Sequence, residues 1–243
     1  MRKKARNAVA KADNQSFVNQ RRNILTNQSS FLVQESYKAL RTNIRFFLSG
    51  NSCKKFCITS CNAGEGKSIT ILNLAISFAQ TGQKVLLIDG DMRRPSLAKL
   101  LIEKPAPGLS NVLAGLNTEE EVIRRGVHPN LDVIVSGEIP PNPSELLGNE
   151  NMQKLLERMS KCYDYILLDL PPIGVVADAC VIANALDGVL FLVRQNATDR
   201  DSVSRCVKQL ELSNAKLMGF VLNGGQGEDK GYGEKYRYSY ESR

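Results

Sequence analysis

Residues 61–68 have the types and spacing of a phosphate-binding loop. The segment reads Cys-Asn-Ala-Gly-Glu-Gly-Lys-Ser and lies between an apolar run at 55–60 and a helical pattern at 67–80. Its glycines let backbone N–H groups approach phosphate oxygens without an intervening Cβ. The N-terminus of the following helix adds free N–H donors and a partial positive charge. The order of strand, glycine-rich turn and helix therefore predicts a site for a nucleoside triphosphate.

The side chains of this loop indicate how the nucleotide would be held. Lys67 can reach the β- and γ-phosphate oxygens and is expected to act in catalysis, and the hydroxyl group of Ser68 suits Mg²⁺. The expected ATP contacts are Asn62, Ala63, Gly64, Glu65, Gly66, Lys67, Ser68 and Ile69. One position departs from the usual pattern, because Cys61 stands where a glycine normally precedes the lysine by six residues.

Aspartates end two of the apolar runs, 85–89 and 166–169. At the carboxyl edge of a parallel sheet, they would surround the phosphate loop. Asp169 fits a metal ligand that acts through water, and Asp89 is a second candidate metal ligand. Asp89 and Asp91 together could hold metal or accept a proton from an attacking hydroxyl, so we expect both to be catalytic. The alternative for any one aspartate is that it caps the N-terminus of the next helix.

The alternation of apolar and helical segments predicts the fold class. The runs 84–89 and 165–169 are almost continuously apolar, which indicates strands buried on both faces of a parallel sheet. We expect a doubly wound α/β fold of the P-loop NTPase type, with a mostly parallel sheet and helices on both faces. The predicted strands are 55–60, 84–89, 131–135, 164–169, 187–193 and 215–222, and the predicted helices are 34–48, 67–80, 118–126, 144–161, 176–185 and 199–212.

The basic residues are concentrated near the N-terminus. Of the net charge of +7, residues 1–25 hold seven basic residues against one acidic residue. Such an arm suits contact with an acidic membrane or a partner, or is simply solvated. The scarcity of aromatic residues there argues against nucleic acid. Arg93 and Arg94 follow the second aspartate and could stabilise charge on a γ-phosphate, although one of the two is expected to be an ordinary surface residue.

Composition limits the remaining function classes. No apolar run approaches the ~18 residues that a membrane span needs, and no signal peptide is evident, so a cytoplasmic protein is expected. With six cysteines but one histidine, small buried hydrophobic residues are a better interpretation than zinc ligands. We divide the chain into a flexible basic arm at 1–30, a P-loop domain at 31–223 and a glycine-rich tail at 224–243.

The tail contains four of the seven tyrosines, Tyr232, Tyr236, Tyr238 and Tyr240. Such a polar segment cannot form a core of its own. The alternation of the last three would allow the tail to dock as an edge strand. The other interpretation is that these phenols are phosphorylation substrates, each phosphate adding about −1.5 to −2 charges.

Taken together, these motifs resemble the bacterial tyrosine kinases (BY-kinases) of capsular and exopolysaccharide synthesis. The resemblance spans residues 33–243 and is carried by 35–45, by the phosphate loop, by Leu-Ile-Asp-Gly-Asp-Met-Arg-Arg-Pro at 87–95, by the proline-rich stretch at 137–147, by Leu-Asp-Leu-Pro-Pro at 168–172 and by the tyrosine tail. It implies a P-loop kinase that uses ATP and Mg²⁺, with the roles assigned above to the lysine, the serine and the three aspartates. It also implies autophosphorylation of the tail in trans and control of polysaccharide production.

The resemblance further implies assembly and partners. The family's Glu-x-x-Arg-x-x-Arg oligomerisation helix corresponds here to Glu35, Lys38 and Arg41, and the lysine loses the bidentate fork of an arginine. The implied assembly is a ring of unphosphorylated chains. The implied partners are a separate transmembrane activator, which would hold the chain at the inner face of the cell membrane, protein tyrosine substrates and a phosphotyrosine phosphatase.

Two other function classes compete with this one. A ParA/MinD-like ATPase, a nucleotide-switched positioning module, has a further lysine in its phosphate loop where Asn62 stands here, and it lacks a tyrosine cluster. A regulatory partner with an inactive site is disfavoured because every expected phosphate and metal ligand is present.

Overall fold

The structure, a computed structural model, describes residues 17–50 and 53–225. Its centre is a seven-stranded sheet in the order β3-β4-β2-β5-β1-β6-β7. Every neighbouring pair is parallel except β3 with β4. The strands are β1 Lys54–Ser60, β2 Val85–Asp89, β3 Ile123–His128, β4 Leu131–Ile134, β5 Tyr165–Asp169, β6 Gly188–Arg194 and β7 Leu217–Asn223.

Helices cover both faces of this sheet. They are α1 Phe31–Phe47, α2 Lys67–Ala79, α3 Leu97–Leu101, α4 Leu109–Leu113, α5 Glu119–Val122, α6 Pro143–Gly148, α7 Glu150–Met159, α8 Asp178–Ile182, followed by a 3₁₀ turn at Ala183–Ala185, and α9 Arg200–Leu212. The central strands β2 and β5 are buried along their whole length. Their alternate side chains enter two separate hydrophobic clusters, one on each face. The expected doubly wound, mostly parallel fold is confirmed.

The prediction of a helix at 118–126 is correct only in its first half. A backbone N–H of Thr118 donates to Glu121 Oε2 (2.9 Å), which starts one helical turn as the sequence suggests. The helix nevertheless ends at Val122, and the next six residues form the antiparallel edge strand β3. Gly126 has a φ of +65° there, outside the helical region. Cross-strand pairing with β4 therefore outweighs the local helical pattern.

Two other predicted helices are interrupted. The helix expected at 144–161 divides at Asn149, whose extended backbone ends α6 and whose side chain accepts the Met152 N–H at the start of α7 (3.0 Å). Asparagine is a favoured residue at a helix N-cap, so a second helix begins here instead of the first one continuing. The helix expected at 176–185 is shorter, because only α8 and a 3₁₀ turn form there.

The N-terminal part of the chain packs more closely than predicted. Residues 17–21 are helical, and Leu25 is buried, with its N–H donating to Asn73 Oδ1 of α2 (2.7 Å). Residues 17–25 therefore contact the domain, whereas residues 1–16 lie outside the described part of the chain. The flexible arm expected at 1–30 stays a prediction. The spacing of Tyr37, Leu40, Ile44 and Phe47 predicts one apolar face of α1. Ile44 is buried as expected, whereas Phe47 is exposed.

The cysteines behave largely as the composition suggests. Cys53, Cys57, Cys61 and Cys206 are buried free thiols, and burial raises the pKa of Cys61 to about 12. Within residues 17–50 and 53–225, no helix is both long and apolar enough to cross a membrane.

Candidate functional site

The phosphate loop joins β1 to α2 at the carboxyl edge of the sheet. Gly64 and Gly66 have φ values of +78° and +102°, which residues with a Cβ rarely adopt. A Cβ on Gly66 would also lie 2.2 Å from the side-chain nitrogen of Asn223. The second glycine is therefore required both by its backbone conformation and by the close approach of β7.

Lys67 and Ser68 begin α2, directly after this turn. The lysine side chain is buried, so its ammonium group lies inside the site rather than in solvent. Its positive charge and the neighbouring serine hydroxyl both act to lower the pKa of Asp169. The structure thus brings together the lysine, the serine and the strand-end aspartate that the sequence assigned to one site.

Asp169 is a fully buried carboxylate, and the nearby Ser68 hydroxyl acts on its charge without meeting hydrogen-bond geometry. Asp169 is 0% exposed, and neither of its side-chain oxygens has a partner. Burial, followed by the charge of Asp91, raises its pKa to about 7 in spite of the nearby lysine. A buried charge of this kind is costly unless a cation or a donor compensates it, so the site is built to receive a positively charged group.

Asp89 lies beside Asp169 in register on the neighbouring strand. Its Oδ2 accepts N–H groups from Ser96 (3.1 Å) and Leu97 (3.0 Å) at the start of α3, whereas Oδ1 is buried without a partner. Burial, and then the charge of Asp169, raises its pKa well above the usual value for aspartate. One oxygen therefore caps a helix and the other remains available for chemistry.

Asp91 and the following arginines are tied into the surrounding structure. Asp91 Oδ1 accepts the backbone N–H groups of Arg93 (3.2 Å) and Arg94 (2.9 Å), which closes a turn after β2. The Arg93 guanidinium pairs with the buried carboxylate of Asp178 (3.0 Å) and donates to Ser144 Oγ (2.9 Å). Arg93 and Arg94 are both exposed, but Arg93 is already committed to a protein carboxylate.

These carboxylates fit a magnesium–nucleotide complex better than an all-protein metal cage. The unpartnered oxygens of Asp89 and Asp169 are the hard ligands that Mg²⁺ prefers. Within the part of the chain that the structure describes, no three His, Cys, Asp or Glu side chains form a metal-binding group. Mg²⁺ in such sites usually takes one or two carboxylates and completes its shell with phosphate oxygens and water.

Sequence reasoning did not anticipate the residues that contact the loop from behind. Arg194, Thr198 and Asn223, near the ends of β6 and β7, all donate hydrogen bonds to residues of the loop. A usable signal was present in the sequence, because the carboxyl ends of parallel strands share one edge of the sheet. Arg194 and Asn223 end the apolar runs of β6 and β7, and Thr198 follows the first of these runs.

The predicted oligomerisation residues have partners within the chain. Lys38 pairs with Glu35 on the same helix at 2.7 Å. Arg41 donates to Ser77 Oγ on α2 at 3.0 Å and to the carbonyl of the same residue. The spacing of three between these residues predicts one helix face, away from the stripe of Leu40 and Ile44. This prediction is wrong for Arg41, which contacts α2. Their role in assembly stays a prediction.

The tyrosines Tyr232, Tyr236, Tyr238 and Tyr240 lie outside the described residues, which end at Gly225. Their phosphorylation stays a prediction. The described part of β7 ends at Asn223, whose side chain donates to the carbonyl of Glu65 in the phosphate loop at 2.7 Å. The last described strand therefore ends beside the candidate nucleotide site.

Comparison with known proteins agrees with this geometry. A family model described as an AAA domain matches residues 53–217. Tyrosine-protein kinase YwqD of Bacillus subtilis (strain 168) is 38% identical over 205 residues, which are 84% of this chain and 86% of the relative. The solved kinase domain of Escherichia coli tyrosine kinase ETK is 35% identical with a TM-score of 0.76, covering 79% of this chain and 75% of that one.

Two further structures are informative. The chimerical protein CapA2B2 is 33% identical with a TM-score of 0.77, covering 81% of this chain and 86% of that one. The cell division ATPase MinD of Pyrococcus furiosus is 24% identical with a TM-score of 0.59, over 70% of this chain and 71% of that one. The likeness to MinD shows a shared fold only, whereas YwqD and ETK, which are more similar in sequence, are tyrosine kinases.

Proposed function

This chain belongs to the bacterial tyrosine-protein kinases with a P-loop domain, and we propose that it transfers the γ-phosphoryl group of Mg-ATP to its own tail tyrosines in trans. The observation that carries the proposal is the pair of buried aspartates, each with at least one unpartnered oxygen, beside a buried lysine at the phosphate loop. A nucleotide-switched positioning module needs the nucleotide site but no phosphate acceptor. The clustered tyrosines of the tail supply phenol acceptors, so they favour a kinase.

ATP is proposed to lie along the loop from Asn62 to Ile69, with its phosphates at the N-terminus of α2. Lys67 neutralises charge on the β- and γ-phosphates, where it is worth more than in water because the site is buried. Ser68 and Asp169 would hold Mg²⁺, which when bound would offset the charge that develops on the phosphates. Asp89 is the alternative metal ligand, but its one free oxygen cannot hold the metal and accept a proton at once. The unpartnered carboxylate oxygens then gain the cation that they lack in the free chain.

The protein's part in the transfer is to orient the acceptor and to take its proton. A tyrosine phenol has a pKa of about 10, so a nearby carboxylate assists as the new P–O bond forms. Asp89 has a free oxygen for this purpose, and the two N–H groups that its other oxygen accepts hold the side chain in place. Asp91 lies close enough for its charge to act on both other aspartates, and we propose that it helps to hold the metal and the base in place.

Regulation is proposed from the same features. Unphosphorylated chains would assemble as a ring through α1, and phosphates on several tail tyrosines would then loosen the contacts by repulsion. A separate transmembrane activator would concentrate the chain at the inner face of the membrane. Other protein tyrosines would serve as further substrates, a phosphotyrosine phosphatase would reset the cycle, and the output would be capsule or exopolysaccharide synthesis.

Lys67→Met provides the first test of the nucleotide site. Loss of its charge should reduce phosphotransfer by roughly 10²–10⁴-fold. The assay is immunodetection of phosphotyrosine after incubation with Mg-ATP, with mass spectrometry to map the labelled residues. Lys154→Met is a matched control, because Lys154 is an exposed lysine paired with Glu150 at 2.8 Å on α7. Full labelling of the Lys67→Met protein would refute the assignment.

Transfer in trans is tested by mixing two chains. One chain carries Lys67→Met and an intact tail, and the other is active but has phenylalanine in place of its four tail tyrosines. Phosphate on the Lys67→Met chain is the expected result. If that chain stays unlabelled while wild-type protein labels at an unchanged rate per molecule on dilution, each chain phosphorylates itself.

A further inference from the structure

The phosphate loop is braced by a buried carboxylate of its own. Glu65 is 3% exposed although it lies in a turn at the edge of the sheet. Its side chain accepts the backbone N–H and the Nδ2 of Asn62, both at 3.1 Å, and the hydroxyl group of Thr198 at 2.5 Å. A glutamate held in this way closes the loop on itself and fastens it to the segment after β6.

The opposite side of the same residue is held by β7. Asn223 Nδ2 donates to the main-chain carbonyl of Glu65 at 2.7 Å and lies directly against Gly66. Arg194, at the end of β6, donates to the carbonyl of Gly64 at 2.8 Å. The carbonyls of the loop are thereby drawn back toward the sheet, which leaves the loop N–H groups free for phosphate oxygens.

The bracing residues are themselves connected. The hydroxyl group of Thr198 also accepts the backbone N–H of Arg194 at 3.0 Å. The backbone N–H of Gln195 donates to the carbonyl of Asn223 at 2.9 Å. The ends of β6 and β7 thus form one hydrogen-bonded unit behind the loop, and removal of either contact to Glu65 would loosen the loop from that unit.

We propose that Thr198 and Asn223 are positioning residues that act through Glu65 to keep the phosphate loop in its nucleotide-binding conformation. Neither residue needs to contact the nucleotide for this role. The inference rests on the nucleotide site proposed above and adds the residues that preorganise it. Because Asn223 also ends β7, the loop and the end of that strand form one structural unit.

Thr198→Val is the sharpest perturbation, because it keeps the side-chain shape and removes the hydroxyl group. The dissociation constant for Mg-ATP, measured by calorimetric titration of the whole chain, should rise about tenfold, which corresponds to about 1.4 kcal/mol. Thr198→Ser retains the hydroxyl group and should bind within about twofold of wild type. The matched control is Thr81→Val, which loses one hydroxyl-to-carbonyl bond of 2.7 Å at the far end of α2 and should leave the ATP affinity unchanged.

Asn223→Ala tests the other side of the brace and carries the test alone if Thr198→Val fails to fold. Its control is Asn151→Ala, which removes an amide-to-carbonyl bond of 2.9 Å at a distance from the loop. Weaker ATP binding in Asn223→Ala, but not in its control, supports the inference.

Two results would overturn it. The first is a Thr198→Val or Asn223→Ala protein that binds ATP as wild type does, with or without a lower melting temperature, since that would make the contacts structural only. The second is a Thr198→Ser protein that binds no better than Thr198→Val. A wild-type chain that binds no ATP would instead refute the proposed nucleotide site, and the inference with it.

Discussion

Replacement of Asp169 by asparagine should stabilise the ligand-free protein while removing its response to Mg-ATP. The wild-type carboxylate is fully buried, and neither of its oxygens has a hydrogen-bond partner. Its charge is therefore a cost to folding until a cation arrives. An amide of nearly the same shape removes that charge, but it is a weaker ligand for Mg²⁺.

The size of the effect follows from the pKa of the carboxyl group. The pKa rises from 3.8 to about 7. At about 1.36 kcal/mol per pKa unit, the ionised carboxylate lowers the free energy of unfolding by roughly 4 kcal/mol at pH 8. The buried amide would still lack partners, which costs about 1–3 kcal/mol. A net gain of about 1–3 kcal/mol corresponds to a melting temperature higher by about 2–12 °C for a domain of this size.

The pH dependence has a definite sign. Because the pKa is raised in the folded state, that state holds the proton more tightly than the unfolded state does. The stability that Asp169 contributes in its protonated form is fully present below the unfolded pKa of 3.8, and it is lost as the pH rises through the folded pKa of about 7. The advantage of Asp169→Asn should therefore be small near pH 4 and largest above pH 7. Calorimetric unfolding with a chelator, across this range, measures it directly.

Asp178→Asn is the matched control with the opposite expected sign. Asp178 is equally buried, but it pairs with the guanidinium of Arg93. Loss of that charge leaves the arginine without its carboxylate and should lower stability by about 1–3 kcal/mol, less than for a fully buried pair because Arg93 is partly exposed. If Asp169→Asn destabilises the free protein, or if both variants shift stability in the same direction, the reasoning from unpartnered burial is wrong.

Three further predictions concern the loop, the base and α1. Gly66→Ala should weaken ATP binding at least tenfold, measured by titration, because its φ of +102° is strained for alanine and its Cβ would contact Asn223; unchanged affinity would contradict this. Asp89→Asn keeps an oxygen to cap α3, so tyrosine labelling should fall by about 10²–10⁴-fold while ATP affinity changes much less; equal losses would make the residue a metal ligand or a structural residue only. Arg41→Ala should lower the stability of the isolated chain by about 1 kcal/mol in denaturant unfolding, because its contact with Ser77 is intramolecular, and no change would show that the contact is not maintained in solution.

The sequence was informative where one pattern had one structural solution. An almost continuous apolar run ending in aspartate, as at 165–169, can hardly be anything but a central parallel strand. The glycine-rich turn between such a strand and a helix was equally specific. For this reason the fold class, the position of the phosphate loop and the edge that collects the aspartates were all predicted correctly.

The sequence was less informative where local and long-range preferences compete. Residues 123–128 continue a helical start, yet pairing with β4 makes them a strand. Asn149 reads as an ordinary polar helix residue, yet it ends one helix and begins the next. Thr198 and Asn223 carry no local signal of their contacts with Glu65. Thr198 is 133 positions from Glu65 along the chain, and Asn223 is 158 positions from it.

Asp89 shows why a structural and a functional interpretation of one residue need not exclude each other. From sequence, an aspartate at a strand end is either a helix cap or a chemical group, and the pattern is the same in both cases. A carboxylate has two oxygens, and here one accepts two N–H groups of α3 while the other has no partner. The capping contacts fix the side chain, so they also fix the direction of the free oxygen. A base that is oriented by its structural role costs no further ordering when the acceptor arrives, and this explains how a strand-end aspartate can serve both roles.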